Sequence, residues 1–168
     1  MANQLQIVPF RGDTMEIGYL CNYPQYINTV SRWIYEEFVI KSGSRMTLEK
    51  VNQYFRNTSA NDFPITLVAI SDNKCVGTVS LFENDLDTQD SLRPWLASLF
   101  VEPTCRGLGI AEKLINQLLK TAGNLGYEKL YLRTEHTSEY YRTRNWMSLG
   151  KTIDGKGQET EVFFRQTI

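Results

Sequence analysis

Leu99-Phe100-Val101-Glu102-Pro103-Thr104-Cys105-Arg106-Gly107-Leu108-Gly109-Ile110-Ala111 joins a strand-like run to the clearest helical pattern in the chain. Pro94 to Val101 reads as a strand; Pro103 stops it and holds Glu102 extended. From Gly107 to Leu125, Ile110, Leu114, Leu118, Ala122 and Leu125 recur as a helical core stripe, with Ile115 and Leu119 at its edge, and Gly126 suits the C-terminal cap. The junction therefore lies at a helix N-terminus, where unpaired N–H groups and the positive dipole end favour an anion. Gly107 and Gly109 keep side chains out of the approach, and Arg106 adds a fixed positive charge. Two readings of this junction stand: a pyrophosphate cradle, or a tight strand-to-helix turn.

Working outward, Leu5 to Val8 reads as a short first strand. Ile27, Val30, Ile34 and Phe38 predict a helix that ends before Ser42-Gly43-Ser44. Thr47 is placed to cap a second helix with Leu48, Val51 and Phe55 on its apolar face. Phe63 to Ile70 and Cys75 to Phe82 are β-rich runs joined by a hairpin turn at Ser71 to Lys74. A polar stretch from Glu83 to Arg93 carries Glu83, Asp85, Asp87 and Asp90. Beyond the long helix come a strand at Lys129 to Arg133, a short helix at Ser138 to Arg144, and an antiparallel pair, Met147 to Lys151 with Thr160 to Phe164. The expected order is strand, two helices, three strands, helix, strand, helix, two strands, which is an α/β fold with a mixed sheet.

Other phosphate-loop classes do not fit. A P-loop closes on Gly-Lys-Ser/Thr, whereas Ile110-Ala111 follow Gly109. A dinucleotide fingerprint ends on a third small residue and normally follows the first strand; here that position is Glu112, late in the chain.

The 168 residues suffice for about one domain with its own core. Eighteen Lys and Arg against nineteen Asp and Glu argue against nucleic acid as the main partner. Cys21, Cys75 and Cys105 form neither a zinc pattern nor a disulfide framework, so no metal is implied and a reducing cytoplasm is the expected setting. Arg11 and Asp13 interrupt the N-terminal stretch, which does not read as a signal peptide, and no window has the roughly 20 apolar residues of a membrane span. The expected protein acts alone or as a homodimer, with no membrane partner.

Leu99 to Ala111 resembles the acetyl-CoA-binding motif of the GNAT superfamily of N-acetyltransferases, Arg/Gln-x-x-Gly-x-Gly/Ala after a strand end, with Arg106, Gly109 and Ala111 in the motif positions. Tyr140-Tyr141-Arg142-Thr143-Arg144-Asn145-Trp146 resembles the family's second signature, an aromatic-Tyr pair followed by Gly-Phe/Trp. The element order is similar too. The resemblance implies one GNAT domain over 1–168, with a mixed, mostly antiparallel twisted sheet flanked by helices and splayed central strands. It implies acetyl-CoA as cosubstrate. Leu99, Phe100 and Val101 would pair with the pantetheine arm, and Arg106, Gly107, Leu108, Gly109, Ile110 and Ala111 would hold the pyrophosphate. The acetyl carbonyl would face a backbone N–H near Val101. Tyr141 stands where the family places the phenol that protonates the departing thiolate. Its other reading is aromatic packing.

The family fixes no position for the group that deprotonates the amine. Glu83, Asp85, Glu102 and His136 are the candidates, with Glu83 the choice made here. Asn145 replaces the usual glycine, and asparagine tolerates a left-handed backbone. Thr134 stands where many members carry a cofactor-contacting asparagine. The acceptor pocket is expected from the early helices, the Glu83 to Arg93 loop and the C-terminal hairpin, with the loop carboxylates either drawing in a cationic amine or simply solvated. Trp33, Tyr35, Trp95 and Trp146 either line that pocket or fill the core. Three functions remain open: acetylation of a small amine, acetylation of a protein amine, and acyl-CoA sensing without catalysis.

Overall fold

A computed structural model describes residues 7–10 and 13–168, with side chains from Met15 onward. The strands are β1 (Ile7–Phe10), β2 (Asp13–Tyr19), β3 (Ile65–Ser71), β4 (Lys74–Phe82), β5 (Trp95–Val101), β6 (Lys129–Thr134), β7 (Met147–Ile153) and β8 (Glu159–Gln166). The helices are α1 (Ile27–Ile34), α2 (Leu48–Arg56), α3 (Ile110–Asn124) and α4 (Ser138–Arg142). The chain divides into two compact units, residues 1–80 with 98–117, and residues 81–97 with 118–168.

In the first unit the strands run in the order β1-β2-β3-β4, with β1/β2 and β2/β3 antiparallel. The β3–β4 hairpin forms at the expected place because Asp72 and Asn73 take the left-handed backbone that such a turn needs (φ 50° and 59°). Leu20, Val30, Ile34, Val51, Phe55, Val68 and Ile70 make the unit's core between the helices and the sheet. Thr47 caps α2, its hydroxyl accepting from the Lys50 N–H at 3.2 Å.

In the second unit the order is β5-β6-β8-β7. The β5/β6 pair is parallel, and β6/β8 and β7/β8 are antiparallel. Leu86, Trp95 and Val162 form a core here, with Phe82, Leu92 and Tyr131 packed against it.

These features give the expected α/β class with a mixed, mostly antiparallel sheet, and several details differ from the sequence reading. Strand β2 was missed, although Met15, Ile17 and Tyr19 alternate inward on it. The first strand begins at Ile7; Leu5 and Gln6 lie outside the described residues. Helix α1 ends at Ile34 and continues as a π-helical segment, Tyr35–Ile40, whose wider turn leaves Phe38 exposed. Leu48, in the mouth of α2, is also exposed. On α3, Ile115 and Leu119 are fully buried rather than marginal, and Leu125 is exposed because the chain leaves the helix and turns at Gly126 (φ 93°).

Candidate active site

The first unit carries the strand-to-helix junction. Within strand β5, Ser98 takes a φ of 53°, rare for a residue with a side chain. The β5/β6 register is at Trp95↔Tyr131, before Ser98. Beyond it, residues 98–101 belong to the first unit, where the Glu102 N–H donates to the Val76 carbonyl at 2.9 Å. Leu99, Phe100 and Val101 thus follow this left-handed residue within β5.

Pro103–Cys105 forms one 3-10 turn, and Arg106 is extended again. Gly107 and Gly109 both take left-handed backbone (φ 77° and 83°), and a Cβ built on either would meet nothing within 4 Å. These glycines are therefore required by conformation and stand beside open space. Ile110 then opens α3, whose first N–H groups have no partner within the helix. What seats this turn is a residue that sequence reading passed over. A Cβ on Gly77 of β4 would come within 3.1 Å of Leu114, 3.2 Å of Ile110 and 3.3 Å of the Phe100 carbonyl. A glycine inside a strand is the available signal for such close approach. Leu99, Phe100, Val101 and Arg106 through Ala111 are thus gathered in one unit. The open left-handed loop at a helix N-terminus fits an anionic diphosphate.

The second unit carries Tyr141. It lies in α4, nearly buried, edge-on to Tyr140 (centroids 5.1 Å apart) and to Trp146 (5.9 Å). Burial, helped by the neighbouring Tyr140, pushes its phenol up to about 12, so the hydroxyl keeps its proton at neutral pH. The turn after α4 closes as expected: Asn145 takes the glycine-like conformation (φ 66°), and the Trp146 N–H donates to the Tyr141 carbonyl at 3.3 Å. Thr134 is buried, hydrogen-bonded to the Thr137 hydroxyl at 2.7 Å. Trp95 and Trp146 are core residues, whereas Trp33 and Tyr35 are half-buried against the first unit's core.

The carboxylates after β4 differ sharply from one another. Glu83 is half-exposed and accepts from the Arg93 guanidinium at 3.0 Å. Asp85 is three-quarters buried, 3.5 Å from Arg133, which also faces Glu135 and Asp154 at 3.4 Å each. Burial raises the Asp85 carboxyl to about 6, against the opposing charge of Arg133. Leu86 anchors this loop in the core, which its polar composition concealed. Near α4, the buried Glu161 accepts from Arg142 on both oxygens at 2.6 Å and from Ser148 at 2.6 Å. The Ser148 hydroxyl foremost, with Ser138 and Arg142, holds the Glu161 carboxyl below its usual range.

Comparison with known proteins bears on the family and the fold. The profile of the acetyltransferase (GNAT) family matches residues 27–145. Comparison with curated protein sequences gives no match. Among solved structures, an aminoglycoside 6'-N-acetyltransferase complexed with coenzyme A superposes with a TM-score of 0.70 at 16% identity, covering 90% of this chain and 97% of that one. An aminoglycoside 6'-acetyltransferase type Ii gives 0.69 at 20% identity, with 90% and 97% covered. A putative acetyltransferase from Acinetobacter baylyi ADP1 gives 0.72 at 12% identity, with 94% of each chain covered. At these identities the likeness is one of fold.

Proposed function

Since the chain belongs to the GNAT acetyltransferase family, we propose that residues 1–168 act as one catalytic domain that moves an acetyl group from acetyl-CoA to the nitrogen of a small amine. The observation that carries this reading is the pair of left-handed glycines, Gly107 and Gly109, with open space beside them at the start of α3. Backbone N–H groups from Arg106 to Ala111 would hold the diphosphate, and Leu99 to Val101 would pair with the pantetheine arm. Acetyl-CoA supplies the acyl group as a thioester. The neutral amine attacks the thioester carbon, the C–S bond breaks, and the thiolate takes a proton. Tyr141 is the donor in this reading, since its buried phenol is protonated across the working range. A carboxylate after β4 would take the proton from the amine. Glu83, half-exposed and paired with Arg93, is the proposed base in this reading, and Asp85, whose carboxyl burial raises to about 6, is the alternative carboxylate.

Free-thiol release from acetyl-CoA across a panel of amines tests this reading. The panel spans polyamines, amino sugars, amino acids and, because two structural neighbours act on them, aminoglycosides. Turnover with one small amine is the expected result. Turnover only with peptides would move the acceptor class to protein amines. Tight acetyl-CoA binding without any turnover would make the chain an acyl-CoA sensor. A cytoplasmic setting is part of the proposal, in keeping with the odd cysteine count.

A further inference from the structure

The Arg106 side chain turns back onto its own strand. Its Nε–H donates to the Val101 carbonyl at 2.9 Å, and its guanidinium carbon lies 5.3 Å from the centroid of the Phe100 ring. The same ring is 5.1 Å from that of Trp33 on α1. Glu102, in the turn between Val101 and Arg106, is held below the usual carboxylate range mainly by the Thr104 hydroxyl, with Arg106 the smallest contributor. One side chain thus braces the end of β5 against the loop that follows it. The groups at the junction that suit an anion are backbone N–H donors of the loop itself, and what depends on how the loop leaves the strand is their distance from that strand.

We propose that Arg106 is a positioning residue whose guanidinium, tied to the Val101 carbonyl and laid over Phe100, sets the spacing between the strand that receives the pantetheine arm and the loop that holds the diphosphate. The inference rests on the acetyl-CoA reading above. It separates the donor function of Arg106 from its charge. A ligand that spans strand and loop feels the brace, whereas one that occupies the loop alone does not. A neutral side chain that still donates an N–H to Val101 should replace it, and a charged one that loses the Nε geometry should not.

The test compares coenzyme A with ADP 3'-phosphate, its pantetheine-free part, by calorimetry on wild type, Arg106→Met, Arg106→Gln and Arg106→Lys. Arg106→Met is expected to weaken coenzyme A at least about tenfold while ADP 3'-phosphate stays within about threefold, which also shows that the variant is folded. Arg106→Gln is expected to recover coenzyme A to within about threefold of wild type, and Arg106→Lys to remain near Arg106→Met. The proposal is overturned if ADP 3'-phosphate weakens as much as coenzyme A, or if Arg106→Lys recovers binding and Arg106→Gln does not. Failure of wild type to bind either compound would instead overturn the acetyl-CoA reading itself.

Discussion

Arg133 lies 3.5 Å from Asp85 and 3.4 Å from Asp154, so one guanidinium joins the acidic loop after β4 to the turn between β7 and β8. The three carboxylates around it (Asp85, Glu135 and Asp154) exceed its single charge. Burial accordingly leaves Asp85 with a carboxyl raised to about 6. An acid whose folded value is raised binds more protons folded than unfolded, so its ionisation lowers stability as pH climbs from its ordinary value toward 6. Asp85→Asn should therefore gain about 2 kcal/mol over wild type at pH 8 and nothing at pH 3.5, measured by urea unfolding. An equal effect at both pH values would mean that Asp85 ionises normally.

Tyr141 leads to a kinetic prediction. With the phenol pushed up to about 12, it stays protonated at pH 7 to 10, so thiolate protonation by this group should not limit turnover in that range. Tyr141→Phe should lower kcat about 100-fold at every pH in the range, read as free-thiol release with the best acceptor of the panel. Full turnover in the variant would assign the proton to water or to another side chain.

Glu161 tests the frame behind α4. Its carboxyl is held below the usual range by Ser148, Ser138 and Arg142, so the stabilisation is present above its ordinary value and is lost as pH falls through the lowered one. Glu161→Gln should cost about 2 kcal/mol at pH 7, because it weakens a buried, charge-assisted set of hydrogen bonds. By pH 2 that difference should have largely closed. A cost independent of pH would point to shape rather than charge.

The chain's local grammar carried most of the fold. Thr47 before an apolar period, Asp72-Asn73 between two β-rich runs and Gly126 after the longest stripe each have a physical reason to stand where they do, and each sits as expected. The glycine turn before α3 was legible for the same reason, since left-handed backbone at a helix start calls for glycine. Tertiary choices were less visible. Ser98 adopts a strained conformation that nothing in its side chain announces, and Gly77 matters only because α3 and Phe100 press on it. Strand β2 carries Asp13 and Glu16, and Gly18 between its last two inward residues, which masked its alternation. Asp85 could not be told from Glu83 in sequence, because the difference lies in distant partners, Arg133 for one and Arg93 for the other.

The central claim is that the open loop before α3 receives the diphosphate of acetyl-CoA. Gly109→Trp is the direct probe: its Cβ meets no protein atom within 4 Å, so the indole enters open space beside the loop, at the cost of a strained left-handed backbone. Titration calorimetry with acetyl-CoA should show saturable one-to-one binding to wild type and at least about a tenfold weaker affinity in Gly109→Trp, with both proteins folded by circular dichroism. Equal affinity in the two proteins, or no binding to wild type, would contradict the account.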